Sequence, residues 1–400
     1  MGTEMSSRER VLTAIEGKQP DHVPCCFMIF SALSARCLDH FDFVNRQLKL
    51  GLDAVVALHA REAEDPRVGR EHRDLPGLPV RYHPEVMVRQ GREDAPDGRA
   101  LLHKEYLTPA GALRTTLQVS DDWRYGEQVP FLDDWLIPRS TRRLISGPRD
   151  LEPLGYLLQP PTGEDLVRFR EWAERARAFA GEKDLAVSAG WGAVGDMACW
   201  LVGMQELMLL AVDQPDFTAE LLGQIAAWNA ERMAIVLEAG VDLFIRRGWY
   251  EGVDFWSPRL YERFLLPSLR AEAEMAHQAG ARFGYIMTSG STPLLDLMVD
   301  ARVDVLIGVD PVQGRGTDLA DLKARAGGRI ALWGGVNGFL TVERGEESEV
   351  RRAVEEAMGC LAPGGGFVLS PVDNVTTDTP ETWRNVAALI DEWQAICGRS

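Results

Sequence analysis

The sequence predicts an α/β fold, a (β/α)8 TIM barrel with an inserted β-hairpin segment, on three observations. From about residue 150 onward, helix-like and strand-like segments alternate without a break. Counted with two early runs, the apolar strand candidates come to about eight, each followed by a helix-like segment, which fits a closed barrel at the usual domain size. Between about 66 and 140 the rhythm gives way to short alternating segments broken by Pro, Gly and Asp, read as a β-rich insertion. Residues 1–400 therefore read as a single domain with one elaboration. An open doubly wound sheet is the alternative, but no GxGxxG follows the first strand and no Walker sequence occurs.

Taken in order, 6–15 opens with Ser6 and has Glu9 three residues on, a capping-box signature ahead of Val11, Leu12 and Ile15 at helical spacing. The run 22–30 (HVPCCFMIF) is the first strand candidate, 41–50 is helical, and 53–60 (DAVVALHA) is the second strand. In the insertion, Thr108-Pro109-Ala110-Gly111 between two alternating runs reads as a hairpin turn. Beyond it, helix 163–181 leads to strand 185–189, and helices 194–212 and 217–239 lead to strand 241–246. Helix 258–280 precedes strand 283–287, and helix 292–300 precedes strand 303–307. Helix 318–326 leads to strand 330–333, helix 346–362 to strand 366–369, and helix 382–396 ends the chain.

Composition narrows the function classes. An apolar content of 46% fills a sizeable core, and no run approaches the roughly 18 apolar residues of a membrane span. The formal charge of -17, with no long basic tract, argues against nucleic acid and anionic membranes as partners. The six cysteines form no CxxC pair and lack a His at zinc-ligand spacing, so they read as buried small hydrophobes. A cytoplasmic enzyme acting on a small molecule is the expectation.

In a barrel, chemistry sits at the C-terminal ends of the strands. Those ends carry His59, Arg61 and Glu62; Trp191 and Asp196; Arg246, Arg247, Trp249 and Tyr250; Thr288 and Ser289; then Asp310, Asn337, Asp373 and Asn374. His59 and Asp373 are the catalytic candidates, with a His satisfied by a backbone carbonyl as the plain alternative for the former. Arg246, Arg247, Tyr250, Ser289, Asn337 and Asn374 are the substrate-binding candidates. An arginine at a barrel mouth grips carboxylate or phosphate, although one of the pair can instead salt-bridge Glu251 or Asp254. The polar pair Asp373-Asn374 in SPVDNV is also explained by turn chemistry alone. No GxSxG or other hydrolase triad motif is present.

Five stretches in order resemble the uroporphyrinogen decarboxylase superfamily: SSRERVLTAIEGKQPDHVP, LVGMQELMLLAVDQPDFTAELL, SPRLYERFLLPSLRAEAEMAHQAGARFGYIM, LWGGVNG and APGGGFVLSPVDNVTTDTP. The resemblance implies a (β/α)8 barrel, an active site in its mouth and often a homodimer. It implies one of two chemistries. Decarboxylases of the family use an arginine-rich motif like RQAGR near the N-terminus, and FMIFSALSAR stands there instead, with Asp53 matching a structural position. The segment EYLTPAGALRTT resembles the β-hairpin of the methyltransferase branch, which exchanges methyl groups between a corrinoid protein and a thiol such as coenzyme M. That branch holds zinc through a His-x-Cys and a late Cys; the matching positions here are Met287, Ser289 and Asp373, which argues against zinc. The expectation is a zinc-independent, methyltransferase-like enzyme with a small anionic substrate and a corrinoid partner protein. A decarboxylase or other carbon–carbon lyase, and a non-catalytic ligand-binding barrel, are the alternatives.

Overall fold

The structure, a computed structural model, describes residues 4–58, 81–94, 96 and 98–398. Its strands in chain order are β1 Val55–Ala57, β2 Met87–Asp94, β3 Ala100–Thr108, β4 Gly111–Gln118, β5 Ser140–Arg142, β6 Ala186–Gly192, β7 Leu243–Arg247, β8 Arg282–Ile286, β9 Val305–Val309, β10 Ala331–Asn337 and β11 Phe367–Val372. They form two sheets. Seven parallel strands run β1-β6-β7-β8-β9-β10-β11, and four antiparallel strands run β2-β3-β4-β5.

The parallel sheet is covered on both faces, which is why its strands are near-continuous Val, Leu and Ile runs. β9, β10 and β11 are buried at every residue. Inside the curl, Leu243, Ile286, Val305, Ile307, Trp333 and Val368 pack together with Cys26. Helix Ser7–Ile15 closes the N-terminal end of this inner core with Val11, Ala14 and Ile15. The expected capping box at Ser6 and Glu9 is present, and Arg10 anchors the helix on buried Asp53 at 2.7 Å. A larger outer core fills the space between the sheet and its helices.

The segment 22–30 departs from expectation. It is reduced to one bridge, Cys25 to Leu369, rather than a strand. Pro24 has no N–H to give a ladder, and the Cys25 N–H is taken by the Asp53 carboxylate at 3.2 Å. The segment nevertheless spans the gap between the sheet's edges. The Cys26 N–H donates to Leu369, the Leu369 N–H donates to Pro24, and the Asp53 N–H donates to Cys25.

Two long expected helices are broken. Helix 194–212 divides at Gly203, whose φ of 90° only glycine adopts freely, into Gly195–Val202 and Met204–Asp213 bent by 104°. Helix 258–280 divides ahead of Pro267 into Pro258–Phe264 and Leu266–Gln278. Among the described residues no single helix is long and apolar enough to cross a membrane. In the second sheet, β3 and β4 pair antiparallel from Leu101 opposite Gln118 to Thr108 opposite Gly111, with Pro109-Ala110 at the turn.

Candidate active site

Alternation along β7 sorts its side chains to two faces. Leu243 and Ile245 belong to the inner core and Phe244 to the outer one. Arg246 then falls on the outer face and Arg247 at the inner mouth. The two consecutive arginines therefore do different things.

Arg246 has no exposed surface. Its Nη2 donates to both oxygens of Glu251 at 2.9 Å, and its Nη1 donates to Ser268 Oγ at 3.0 Å, 3.4 Å from Glu272. Ser268 and Glu272 lie on the covering helix Leu266–Gln278. The Tyr285 hydroxyl donates to Glu251, and the Tyr261 hydroxyl donates to Tyr285 at 3.3 Å. Glu251 also accepts the Gly195 N–H at 2.6 Å, which fixes the start of helix Gly195–Val202. Gly248 is required here, because a Cβ would sit 2.5 Å from the Tyr285 ring.

Arg247 reaches the mouth. Its Nε donates to Asp196 at 2.7 Å and its Nη2 to Asp134 at 2.5 Å. Among the described residues its Nη1 has no hydrogen-bond partner. The guanidinium lies 4.1 Å from the Trp249 ring centroid and 4.8 Å from that of Trp200, within cation–π range. Asp196, on the first turn of helix Gly195–Val202, also accepts the N–H groups of Trp249 (3.2 Å) and Tyr250 (2.8 Å). Asp134 additionally accepts from Trp200 Nε1 at 2.9 Å and interacts with the Tyr250 hydroxyl. The arginine is thus held rigidly along one edge, with its other edge turned away from both aspartates.

Burial is the main perturbation of the acids at this site. It pushes the Asp196 carboxyl up to about 6, aided by the nearby Glu251 charge and opposed by Arg247. Asp373 follows β11 with a left-handed φ of 68°, unusual for a residue with a Cβ. The surrounding protein raises its carboxyl above the usual range; Arg247 pulls it back, and Asp134 and Asp310 push it further up. Its side chain is exposed, so solvent keeps that rise moderate. Burial and Asp134 likewise raise the Tyr250 phenol, leaving it a neutral donor.

The remaining candidates are spent on holding loops. Asn337 donates to Asp310 at 2.6 Å and to Gln313 at 2.9 Å, while its Oδ1 accepts the Leu340 N–H. This ties the ends of β9 and β10. Asn374 grips Ser31 through the N–H (3.0 Å) and the hydroxyl (2.9 Å). The Ser289 hydroxyl donates to Asp254, which Arg315 holds from the other side at 2.8 Å. Met287 is fully buried in the outer core. His59, Arg61 and Glu62 lie outside the described residues, as does the side chain of Trp191. Sequence reading singled out neither Asp134 nor Trp200. Asp134 comes from the stretch read as inserted, and only the fold brings it to β7.

Against known proteins, residues 126–396 match the family model described as Uroporphyrinogen decarboxylase (URO-D). A search of curated proteins finds no match. Among solved structures, a methyltransferase from Methanosarcina mazei aligns over 98% of this chain and 99% of its own, with TM-score 0.60 and 17% identity. A B12-independent methionine synthase from Shewanella sp. W3-18-1 aligns over 57% and 66%, with TM-score 0.43 and 11% identity. The first likeness is one of fold, and the second is too weak to carry an argument.

Proposed function

We propose that this chain, which belongs to the uroporphyrinogen decarboxylase family, is a methyltransferase-like (β/α)8 enzyme whose active site is the C-terminal mouth around Arg247 and Asp373. The carrying observation is the geometry of Arg247. One edge is pinned by Asp196 and Asp134, and Nη1 remains for a substrate's carboxylate or other acceptor. The two aspartates more than offset its charge, so the site suits a single acceptor or anionic group at Nη1 rather than several anionic groups. Asp373, raised above the ordinary carboxylate range, serves as the base. It takes the proton of the accepting thiol or amine as that atom's lone pair bonds the methyl carbon. The bond from methyl to the donor breaks, and its electron pair leaves with the donor.

Zinc does not fit the three positions that the resemblance points to. The Met287 thioether is sealed in the outer core, the Ser289 hydroxyl is committed to Asp254, and a lone Asp373 leaves too few donors. A corrinoid on a partner protein would supply or accept the methyl group; the residues here position the small substrate and move its proton. The test is methyl transfer from methylcobalamin to coenzyme M or another small thiol. We expect turnover that falls at least about a hundredfold in Arg247→Met and Asp373→Asn, the usual order for a lost acid–base or charge contact. Stoichiometric zinc in the active protein, or full activity in both variants, overturns the reading. Release of CO2 from a carboxylated substrate with no methyl transfer would establish the decarboxylase alternative instead.

A further inference from the structure

The four-stranded sheet ends on a bare edge. All eight residues of β2 are exposed, and its ladder with β3 runs unbroken from Met87 opposite Leu107 to Asp94 opposite Ala100. Among the described residues no strand pairs with its other side. The sheet's opposite edge, β5, is only three residues long. Natural sheets blunt such an edge with Pro, a bulge or brevity, because its unpaired N–H and C=O groups template another strand. β2, MVRQGRED, has none of these and is blunted only by its four charges. Its charges do not repel a copy of itself either. They are self-complementary about Gly91.

We propose that β2 is a homodimer interface, in which two copies of this chain pair antiparallel about a two-fold axis at Gly91 to join their sheets. In that register Arg89 faces Glu93 of the second copy, twice by symmetry, and Gln90 faces Arg92. Moving the axis half a residue toward the N-terminus sets Arg89 against Arg92, and like charges directly opposite are unfavourable. Neither Arg89 nor Glu93 is used up within the chain. Arg89 lies 3.9 Å from Glu105, whose closer partner is Arg114 at 2.5 Å. Glu93 lies 3.2 Å from His103, and the Arg89 and Glu93 side chains keep 67% and 64% of their surface open. Gly91 presents no side chain, and a cleft of about 270 Å³ opens over it between Arg89 and His103, giving room for the crossing side chains. The strand carries two Arg, one Glu and one Asp and is therefore neutral on a chain of net charge -17. It is a place where two acidic bodies can meet without concentrated repulsion.

The test is sedimentation or light scattering of the full chain and three variants. The wild type is expected to be a dimer. Arg89→Glu and Glu93→Arg each replace two attractive pairs by two repulsive ones and are expected to weaken dimerisation by about tenfold or more. The double variant Arg89→Glu/Glu93→Arg is expected to restore it, because the swap regenerates the same pairs. Both positions changed are exposed on an edge, so the secondary structure of each protomer, followed by circular dichroism, stays as in the wild type. A monomeric wild type, which is also the outcome if β2 accepts a strand from a different protein, overturns the proposal. So does a dimer that the single variants leave intact, or single-variant losses that the double variant does not repair.

Discussion

The two faces of the β7 wall use adjacent arginines in opposite ways. On the outer face Arg246 is wholly enclosed by Glu251 from the turn after β7 and by Ser268 and Glu272 from helix Leu266–Gln278. Tyr285 of β8 and Tyr261 of helix Pro258–Phe264 are bonded behind Glu251. On the inner face Arg247 is held along one edge only, by groups that come from three separate segments, Asp134, Asp196 and the Trp249–Tyr250 loop. The outer cluster is closed to solvent, and it fixes β7, the Glu251 turn and helix Gly195–Val202 although Arg246 Nε and both Glu272 oxygens lack a hydrogen-bond partner among the described residues. The inner one leaves Nη1 of Arg247 without a hydrogen-bond partner among the described residues. The difference teaches which charge is structural and which is available for chemistry. Perturbing each side separates them.

The largest effect is expected on the outer face. Arg246→Ala strands the Glu251 charge without a counter-charge in a fully buried layer, and removing one partner of a buried pair costs about 3–5 kcal/mol. Urea unfolding is expected to show that loss. A change below about 1 kcal/mol would mean that the cluster is hydrated and the contrast between the faces false.

A second outer-layer group gives a pH signature. His40 accepts the Ala57 N–H through Nε2 at 2.9 Å and packs against Phe43 and Trp172, so it is held neutral. Burial lowers it from 6.5 to about 4. The unfolded chain therefore takes up its proton first. Stability is fully present above about pH 6.5 and is lost as pH falls toward 4, by up to about 3 kcal/mol. In His40→Leu the Ala57 N–H loses its acceptor, lowering stability at neutral pH, but the stability difference between pH 7 and 4.5 is expected to shrink by most of that amount. An unchanged difference would assign the acid loss elsewhere.

On the inner face the effects move from stability to turnover. Arg247→Met removes the anchor and is expected to lower methyl transfer at least about a hundredfold, roughly 2.7 kcal/mol of barrier. Unfolding is expected to shift less than for Arg246→Ala, because Asp196 can take a proton once its partner is gone. Its carboxyl already sits up at about 6. A raised folded value means that protonating Asp196 favours the folded state, so the sign is opposite to that of His40: this contribution is present at low pH and lost as pH rises through about 6. Protonation also removes the charge that clamps Arg247. Turnover is therefore expected to fall on the acid side near pH 6 while this site's stability rises. Asp196→Asn is expected to flatten that limb, and a limb unmoved by the change would place the titrating group elsewhere, Asp373 first.

Why the two arginines were not told apart from the sequence is a matter of strand register. The strand run and its helix rhythm are strong signals, and alternating βα units, the capped first helix and the breaks around the 66–140 stretch are all visible in residue order. The face a side chain takes is fixed by where the strand begins. Bounds of 241–246 rather than Leu243–Arg247 put Arg246 at the strand's last residue and Arg247 outside it, so their opposite faces are not evident. Glu251 was visible as a partner because it is five residues away. Asp134 was not, since its link to Arg247 spans 113 residues and a sheet that gave no catalytic motif. Ser289, Asn337 and Asn374 stand at strand ends, as expected of mouth residues, but their hydrogen bonds run to other loops; loop polarity alone does not reveal which partner wins. The first strand failed for a local reason, a proline and a side-chain acceptor that together consume its ladder donors.

The smallest expected effect sharpens the outer cluster itself. It holds one arginine and two glutamates, which cannot all be charged at low cost in that layer. Glu251 accepts two bonds from Arg246, one from Tyr285 and one from the Gly195 N–H. Glu272 sits 3.4 Å from the guanidinium and has no other hydrogen-bond partner for either oxygen among the described residues. Burial raises the Glu272 carboxyl above its usual range, which makes it a candidate to carry a proton in this cluster. Glutamine reproduces a protonated glutamate in shape and charge. Glu272→Gln is therefore expected to change unfolding by less than about 1 kcal/mol, the ordinary scale of one neutral hydrogen bond. Glu251→Gln, which turns an acceptor of four bonds into a mixed donor and acceptor, is expected to cost about 3 kcal/mol or more. Equal losses in the two variants would show that both glutamates are charged and share Arg246. The cluster would then be a reservoir of buried charge on the wall rather than a neutral brace behind the mouth.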